Sequence, residues 1–422
     1  MSVLQQSNHQ ILRHVQKGLP ALLTKASNPN LPVATWIFSC TGLVATIVHV
    51  GGITRLTKSG LSMTDWKPLG SLPPITNEEW IQEFEKYKQF PEYKQRQSMT
   101  MSEFKTIYFW EWGHRMLGRT VGVAFALPWA YFTFRRKIPP SFQPKMAGLF
   151  ALGGTQGLVG WWMVRSGLGE ENRSKQKEIR VSPYRLATHL SVAGTTFSLL
   201  LWTGMDVLHL ENKANVKEIA KALVMNKESG VLKLASRFRM GAMAVTGLTG
   251  LTLASGAFVA GNDAGRAYNT FPKMTEDNWI PWDDLIDTDL SPTYRNLFEN
   301  TAVVQLNHRV LGMTTAVSAI TLATLGLANP AARSIMTPQV VRGTKLVGGI
   351  AVAQASLGIS TLLTYVPISL AAVHQVGSLA LLSSGFYLVH SLRYAKPALV
   401  RIIGKEMGTA TQSFGKIALK PV

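Results

Sequence analysis

Residues 111–119 read E-W-G-H-R-M-L-G-R and lie within an otherwise apolar stretch, 107–134, long enough to cross a bilayer. A second apolar run, 299–328, contains Q-L-N-H-R-V-L-G-M at 305–313, with His, Arg, Leu and Gly at equal spacing. Each of these histidines has a later companion. His114 is followed by His189 in R-L-A-T-H-L-S-V-A, and His308 by His374 in A-A-V-H-Q-V-G-S-L. An imidazole inside hydrocarbon is costly enough to mark a functional site. Four of them, repeated as two pairs, point to two heme or metal sites within a helical bundle.

Working outward, 46% of the 422 residues are apolar and 16% charged, against about 25% charged in a soluble chain. Apolar runs near 33–54, 107–134, 146–165, 184–208, 239–261, 299–328, 341–364 and 367–391 predict eight transmembrane helices. The net charge of +19 comes from the segments between these runs, so it reports membrane orientation rather than a nucleic-acid surface. Bases dominate one set of connections, typified by Arg135, Arg136 and Lys137. The other set carries the acids, typified by Asp283, Asp284, Asp287 and Asp289. With an even number of spans, both termini fall on the basic, inner side. Cys40 is the sole cysteine, which excludes an intramolecular disulfide, a C-x-x-C metal site and a C-x-x-C-H heme attachment.

The chain divides into a basic leader (1–32), a four-helix unit (33–210), a charged inner linker (211–238), a second four-helix unit (239–395) and a basic tail (396–422). The leader carries Arg13, Lys17 and Lys25 and no acid, a composition shared by mitochondrial transit peptides and ordinary basic tails. The outer segment N-E-E-W-I-Q-E-F-E-K-Y-K-Q-F (77–90) has the pattern of an amphipathic helix capped at Thr76 or Asn77, with Trp80 and Phe84 facing the membrane or the bundle.

The two units repeat each other. Q-G-L-V-G (156–160) answers Q-A-S-L-G (354–358), and V-G-G-I-T-R-L-T-K-S-G (50–60) is set against V-A-G-N-D-A-G-R-A-Y-N (259–269). Four spans per unit give the copies one orientation, a parallel repeat about an axis along the membrane normal. The expected fold is therefore all-α and integral to the membrane, with eight helices in two pseudo-symmetric four-helix bundles. Helix rise places all four histidines roughly 9–14 Å below the outer boundary. One pair per bundle at a common depth suits an iron held from both porphyrin faces. No further carboxylate or thiol repeats at that depth, as a zinc site would need. His49, His209 and His390, and His9 and His14 of the leader, lack repeat counterparts and read as structural.

The repeat breaks one turn before the first histidine of each pair, where Glu111 is matched by Gln305. A carboxylate beside His114 can move protons or stabilise developing positive charge, whereas an amide cannot ionise. The first site thus reads as the reactive one, and the alternative use of Glu111 is an i,i+4 ion pair with Arg115. Arg115, Arg119 and Arg309 lie at a depth where they could hold heme propionates. Arg55, Lys58 and Arg266 are weaker candidates for the same task.

With these motifs in view, the chain resembles the heme A synthase family of the mitochondrial and alphaproteobacterial type, over about residues 33 to 395. The resemblance is carried by G-G-I-T-R-L-T-K-S-G-L-S-M-T-D-W-K-P (51–68), the N-E-E-W-I-Q-E-F-E-K-Y-K segment and E-W-G-H-R-M-L-G-R. In the second half it is carried by A-G-N-D-A-G-R-A-Y-N-T-F-P-K-M (260–274) and L-N-H-R-V-L-G (306–312). It implies an enzyme of the mitochondrial inner membrane that oxidises the C8 methyl of heme O to the formyl of heme A, for cytochrome c oxidase. It further implies heme O on His114 and His189, heme B on His308 and His374, and an acidic residue at Glu111. The implied partners are the lipid bilayer, the farnesyltransferase that makes heme O, and a ferredoxin with its reductase. The sequence leaves the oligomeric state open, a homo-oligomer included. Many bacterial relatives carry a cysteine pair in the first outer loop; this chain has none, which removes a thiol step. A diheme cytochrome that only passes electrons would carry the same four histidines. A transporter with parallel repeats would need broken, polar helices at the midplane, which the sequence does not provide.

Overall fold

The computed structural model describes residues 28–396 and 399, apart from 64, 96, 169–178, 211–215 and 221–228. The leader up to residue 27, part of the linker and nearly all of the tail lie outside the described residues. Among the described residues the chain is helical, without strands.

Eight helices have 24 residues or more: α1 (Leu31–Leu56), α3 (Met101–Phe134), α4 (Gln143–Leu168), α5 (Pro183–Leu208), α6 (Ser229–Gly261), α7 (Thr301–Ala328), α8 (Pro338–Leu363) and α9 (Ile368–Ser391). A shorter helix, α2 (Asn77–Lys88), occupies the first outer connection. Each long helix coincides with one of the apolar runs. The largest departures are at N-termini: α3 begins at Met101 because Thr100 and Glu103 form a capping box there. The last residues of the linker, from Ser229, are already the first turns of α6.

Five helices (α1, α7, α8, α9 and Leu234–Gly261 of α6) are both long and apolar enough to cross a membrane. The sequence predicts eight. The other three long helices, α3, α4 and α5, belong to the first half. α3 carries Glu111, Arg115 and Arg119, and the charge-free interiors of α4 and α5 hold Gly153, Gly154, Thr155 and Gln156, or Thr188, His189, Thr195 and Thr196, which lowers their apolarity without shortening them.

α2 is capped by Thr76, whose hydroxyl accepts from Glu79 N–H while the Glu79 carboxylate accepts from the Thr76 backbone. Those backbone donors hold the Glu79 carboxyl below the usual glutamate range. Trp80 packs edge-on against Tyr108 with ring centroids 5.2 Å apart, and Phe84 stacks on Phe104 at 4.8 Å. The apolar face of α2 therefore lies on the outer turns of α3.

In the first half α1 packs on α3 and α5, and α5 on α4; in the second, α7 packs on α6 and α8, and α9 on α8 and α6. The halves meet where α5 touches α6 and where α9 touches α1 and α5. Ion pairs and a hydrogen bond fasten the seam at both ends. At the end that carries the acidic connections Asp263 meets Arg55 at 3.1 Å and Arg180 at 3.6 Å, and Tyr184 donates to Glu299 at 3.0 Å. At the opposite end Asp206 is 3.2 Å from both Lys145 and His390, so His390 serves the seam rather than either histidine pair.

Candidate functional site: two histidine pairs in one cavity

His114 on α3 and His189 on α5 face each other with ring centroids 6.4 Å apart. His308 on α7 and His374 on α9 do the same at 6.5 Å. Two metal–imidazole bonds of about 2 Å each, plus roughly a ring radius on either side, span about 6 Å. Each pair therefore fits one iron held between two imidazoles. Among the described residues no three or more His, Cys, Asp or Glu side chains cluster as a metal site of higher ligand number. Both pairs line a single cavity of about 1100 Å³ that also contains Glu111, Gln305, Arg115, Arg119 and Arg309.

A glycine on a neighbouring helix makes room for each imidazole. A Cβ on Gly51 would sit 2.8 Å from Cε1 of His114, and one on Gly160 would sit 3.0 Å from that of His189. The corresponding distances are 3.3 Å for Gly256 and His308, and 2.8 Å for Gly358 and His374. Gly160 and Gly358 stand out in the repeated motif, whereas Gly51 and Gly256 do not match in the sequence register. Their shared relation to a histidine aligns α1 with α6 so that both helices end in step, at Leu56 and Gly261. His49 then pairs with Ala254. The string pairing, which sets Val50 against Val259, is a register slip caused by similar V-G-G and V-A-G strings.

That register exposes a difference the sequence alone conceals. Ser255, just before Gly256, places its Oγ 2.7 Å from Nδ1 of His308 and donates its own proton to the Thr252 carbonyl at 2.8 Å. Its lone pairs are left to accept from Nδ1–H, which frees Nε2 of His308 for a metal. Nδ1 of His374 has Gln354 Nε2 at 3.1 Å. The first half has Val50 where the second has Ser255, so no side chain reaches Nδ1 of His114 or His189, and the His114 ring has the Ile47 carbonyl beside it, the counterpart of Thr252. Gln156 donates to the His189 carbonyl at 2.9 Å, as Gln354 does to that of His374.

Glu111 is 3% exposed, and Arg115 Nε donates to its Oε1 at 2.6 Å. The i,i+4 ion pair is therefore present, in a wall of the cavity. Arg115 also donates to the carbonyls of Met63 and Asp65, at 2.8 and 3.0 Å. Arg119 donates to those of Pro68, at 3.0 Å, and Lys67. Arg309 repeats the arrangement, with Gln305 Oε1 at 3.1 Å and the carbonyls of Tyr268, Thr270 and Lys273 at 2.6, 2.9 and 3.2 Å. Gln305 itself donates to the carbonyls of Ala264, at 2.8 Å, and Ala267. These arginines anchor an outer loop over each histidine pair. Lys58, Arg55 and Arg266 also line the cavity. One further link joins the pairs: Gln375, next to His374, lies against Gly52, next to Gly51.

Together these features define an all-helical protein with membrane-length apolar helices and two paired-imidazole sites in one cavity. Residues 34–385 match the cytochrome oxidase assembly protein family. The chain is 44% identical to "Heme A synthase COX15" of Arabidopsis thaliana over 92% of its own length and 80% of the relative's. It is 43% identical to the human protein of that name, over 89% and 86% of the two lengths. It is also 44% identical to a "Heme A synthase-mitochondrial ferredoxin fusion protein" of Schizosaccharomyces pombe, over 86% of this chain and 60% of the longer fusion. The chain belongs to this cytochrome oxidase assembly protein family, which includes heme A synthases.

Proposed function

We propose that the protein is a heme A synthase of a mitochondrial membrane, oxidising the C8 methyl of heme O to a formyl group. The observation that carries this reading is the pair of matched imidazole couples, 6.4 and 6.5 Å across, within a chain so similar to heme A synthases. In this reading all eight long helices cross the inner membrane as two four-helix units, 33–210 and 239–395. Both termini lie in the matrix and the sites lie toward the intermembrane space.

The substrate, heme O, is assigned to His114 and His189, and heme B to His308 and His374. Heme B bound there would supply one-electron chemistry. The balance RCH3 + H2O → RCHO + 4 H⁺ + 4 e⁻ requires proton handling beside the substrate, whatever the oxidant. Glu111 is the buried carboxylate on the same helix as His114, one turn from it on the cavity wall, and is assigned that task, or the stabilisation of positive charge developing at the methyl carbon. Arg115 orients its carboxylate through the 2.6 Å contact. Gln305, an amide at the matching position, can hold its loop in place but cannot exchange protons in this way. Arg115, Arg119 and Arg309 make the outer end of the cavity positive, the end suited to propionates. Ferredoxin as electron donor is supported by the fusion relative.

Extraction of the purified protein's hemes and identification by mass tests the assignment. Heme B accompanied by heme O or heme A is expected. Heme B alone at both sites would favour a diheme cytochrome that only transfers electrons.

A further inference from the structure

The inner ends of the two halves are packed by opposite means. Counting along each helix from its histidine, Phe125 and Trp129 of α3 fall where Ala319 and Ala323 fall on α7. Counting back from Gly160 and Gly358, Phe150 of α4 falls where Gly348 falls on α8, and Gly153 where Ala351 falls. The second half uses its small residues to close. A Cβ on Gly348 would lie 2.6 Å from that of Ala323, and Ala319 and Ala351 are fully buried. The first half has a wedge instead. Phe150 rests against Trp129 at 6.0 Å and Phe125 at 6.4 Å between ring centroids, and these rings hold α3 and α4 apart.

Above the wedge, toward the histidines, the helices do not close again. No residue of α4 from Phe150 to Arg165 is buried, whereas Ala351 and Thr361 are buried in the matching stretch of α8, 348–363. A Cβ on Gly122, Gly153, Gly154 or Gly157 would meet nothing within 4 Å, yet all four glycines line the cavity that holds His114 and His189. The flanking positions Val123, Leu127 and Leu158 are exposed and apolar, as a surface against lipid requires. The cavity thus continues from the first histidine pair through the α3–α4 gap to the lipid-facing side, and the corresponding α7–α8 route is shut.

We propose that the α3–α4 gap is a lateral port to the bilayer through which the prenylated substrate enters, its farnesyl chain lying along Gly153, Gly154 and Gly157. This rests on the assignment of heme O to His114 and His189. The groove runs about 10 Å inward from Gly160 at helical rise, so an apolar chain attached to a porphyrin between the imidazoles would follow it. The same chain would be too greasy to approach through the charged outer loops. Closure of the second half also explains how a heme lodged there would remain resident while the first half turns over.

The test uses the full-length protein in lipid nanodiscs, supplied either with heme O or with heme B, which lacks the tail. Uptake at the first pair is read from the low-spin spectrum that His189→Ala abolishes. In Gly153→Leu/Gly157→Leu the added side chains meet open space, so the fold is preserved, which the spectrum of the resident heme at His308–His374 checks. Heme O uptake should fall roughly tenfold or more, in line with a few methylenes losing apolar burial, while heme B uptake at the same site is unchanged. Equal losses for both hemes, or no loss for heme O, would overturn the port. Gly154→Leu gives a second reading on the same scale if the double variant loses its resident heme. Wild-type protein that takes up no heme O at the first pair overturns the site assignment itself, and the port with it.

Discussion

Phe125, Trp129 and Phe150 stand between two helices of the first half, where Ala319, Ala323 and Gly348 let the matching helices of the second half touch. Around the histidines the contrast runs the other way. The first pair has no side chain on its Nδ1 atoms and an ionisable neighbour in Glu111, whereas in the second Ser255 is placed to accept from Nδ1 of His308 and the neighbour, Gln305, is neutral. One repeated scaffold, with imidazoles 6.4 and 6.5 Å apart, therefore carries two unlike environments. An open, loosely constrained site suits a ligand that arrives, reacts and leaves. A closed site with one ligand oriented by a hydrogen bond suits one that stays.

The comparison can be broken in several places, and the largest expected effect is at Glu111. Glu111→Gln gives the first half the amide of the second. Both hemes should remain bound while heme A formation falls about 10²-fold or more, the usual contribution of a positioned acid or base. Normal turnover with full heme occupancy would remove Glu111 from the chemistry and leave it as the partner of Arg115.

Gly358→Ala comes next. Its Cβ would lie 2.8 Å from the His374 ring, so the imidazole must tilt out of its approach to the iron. Loss of most heme B from the purified protein is expected, with the helical circular dichroism intact. Retention of a full complement would mean that the glycine is not what makes room for the ring.

Ser255→Val, which copies Val50, should have the mildest effect. Without an acceptor on Nδ1–H the His308 imidazole becomes a poorer donor to iron, so heme B affinity should fall roughly 10- to 100-fold. The midpoint potential should rise, as the ferric state loses support, and Ser255→Thr should restore it. A potentiometric titration checks the sign, and an unchanged potential would reduce Ser255 to packing.

Much of this is legible in the sequence because the relevant signals lie along single helices. The eight apolar runs are eight long helices, the four histidines meet in the expected pairs, and Thr76 caps α2. What escapes depends on relations between helices. Gly51 and Gly256 matter because each lies across from an imidazole on another helix, and local V-G-G similarity draws the alignment several residues away. The aromatic wedge uses residues that any apolar span could contain; only their opposition across α3 and α4 gives them a role. That Arg115 and Arg309 also anchor loops escapes because a sequence does not reveal that carbonyls some forty to fifty residues away meet their guanidinium groups. The apolarity of the first half is overestimated for a related reason. Charges on α3, and the glycines and the hydroxyl, amide and imidazole side chains inside α4 and α5, lower the apolar average of helices that are nonetheless as long as their partners.

The central claim is that the two pairs hold different hemes, and removing one ligand at a time tests it most directly. Hemes extracted from purified His114→Leu and His308→Leu proteins would be identified by mass. His114→Leu should retain heme B and lose heme O and heme A, whereas His308→Leu should lose heme B and still accept heme O. Heme O or heme A persisting in His114→Leu, or heme B persisting undiminished in His308→Leu, would contradict the division between a substrate half and a resident half.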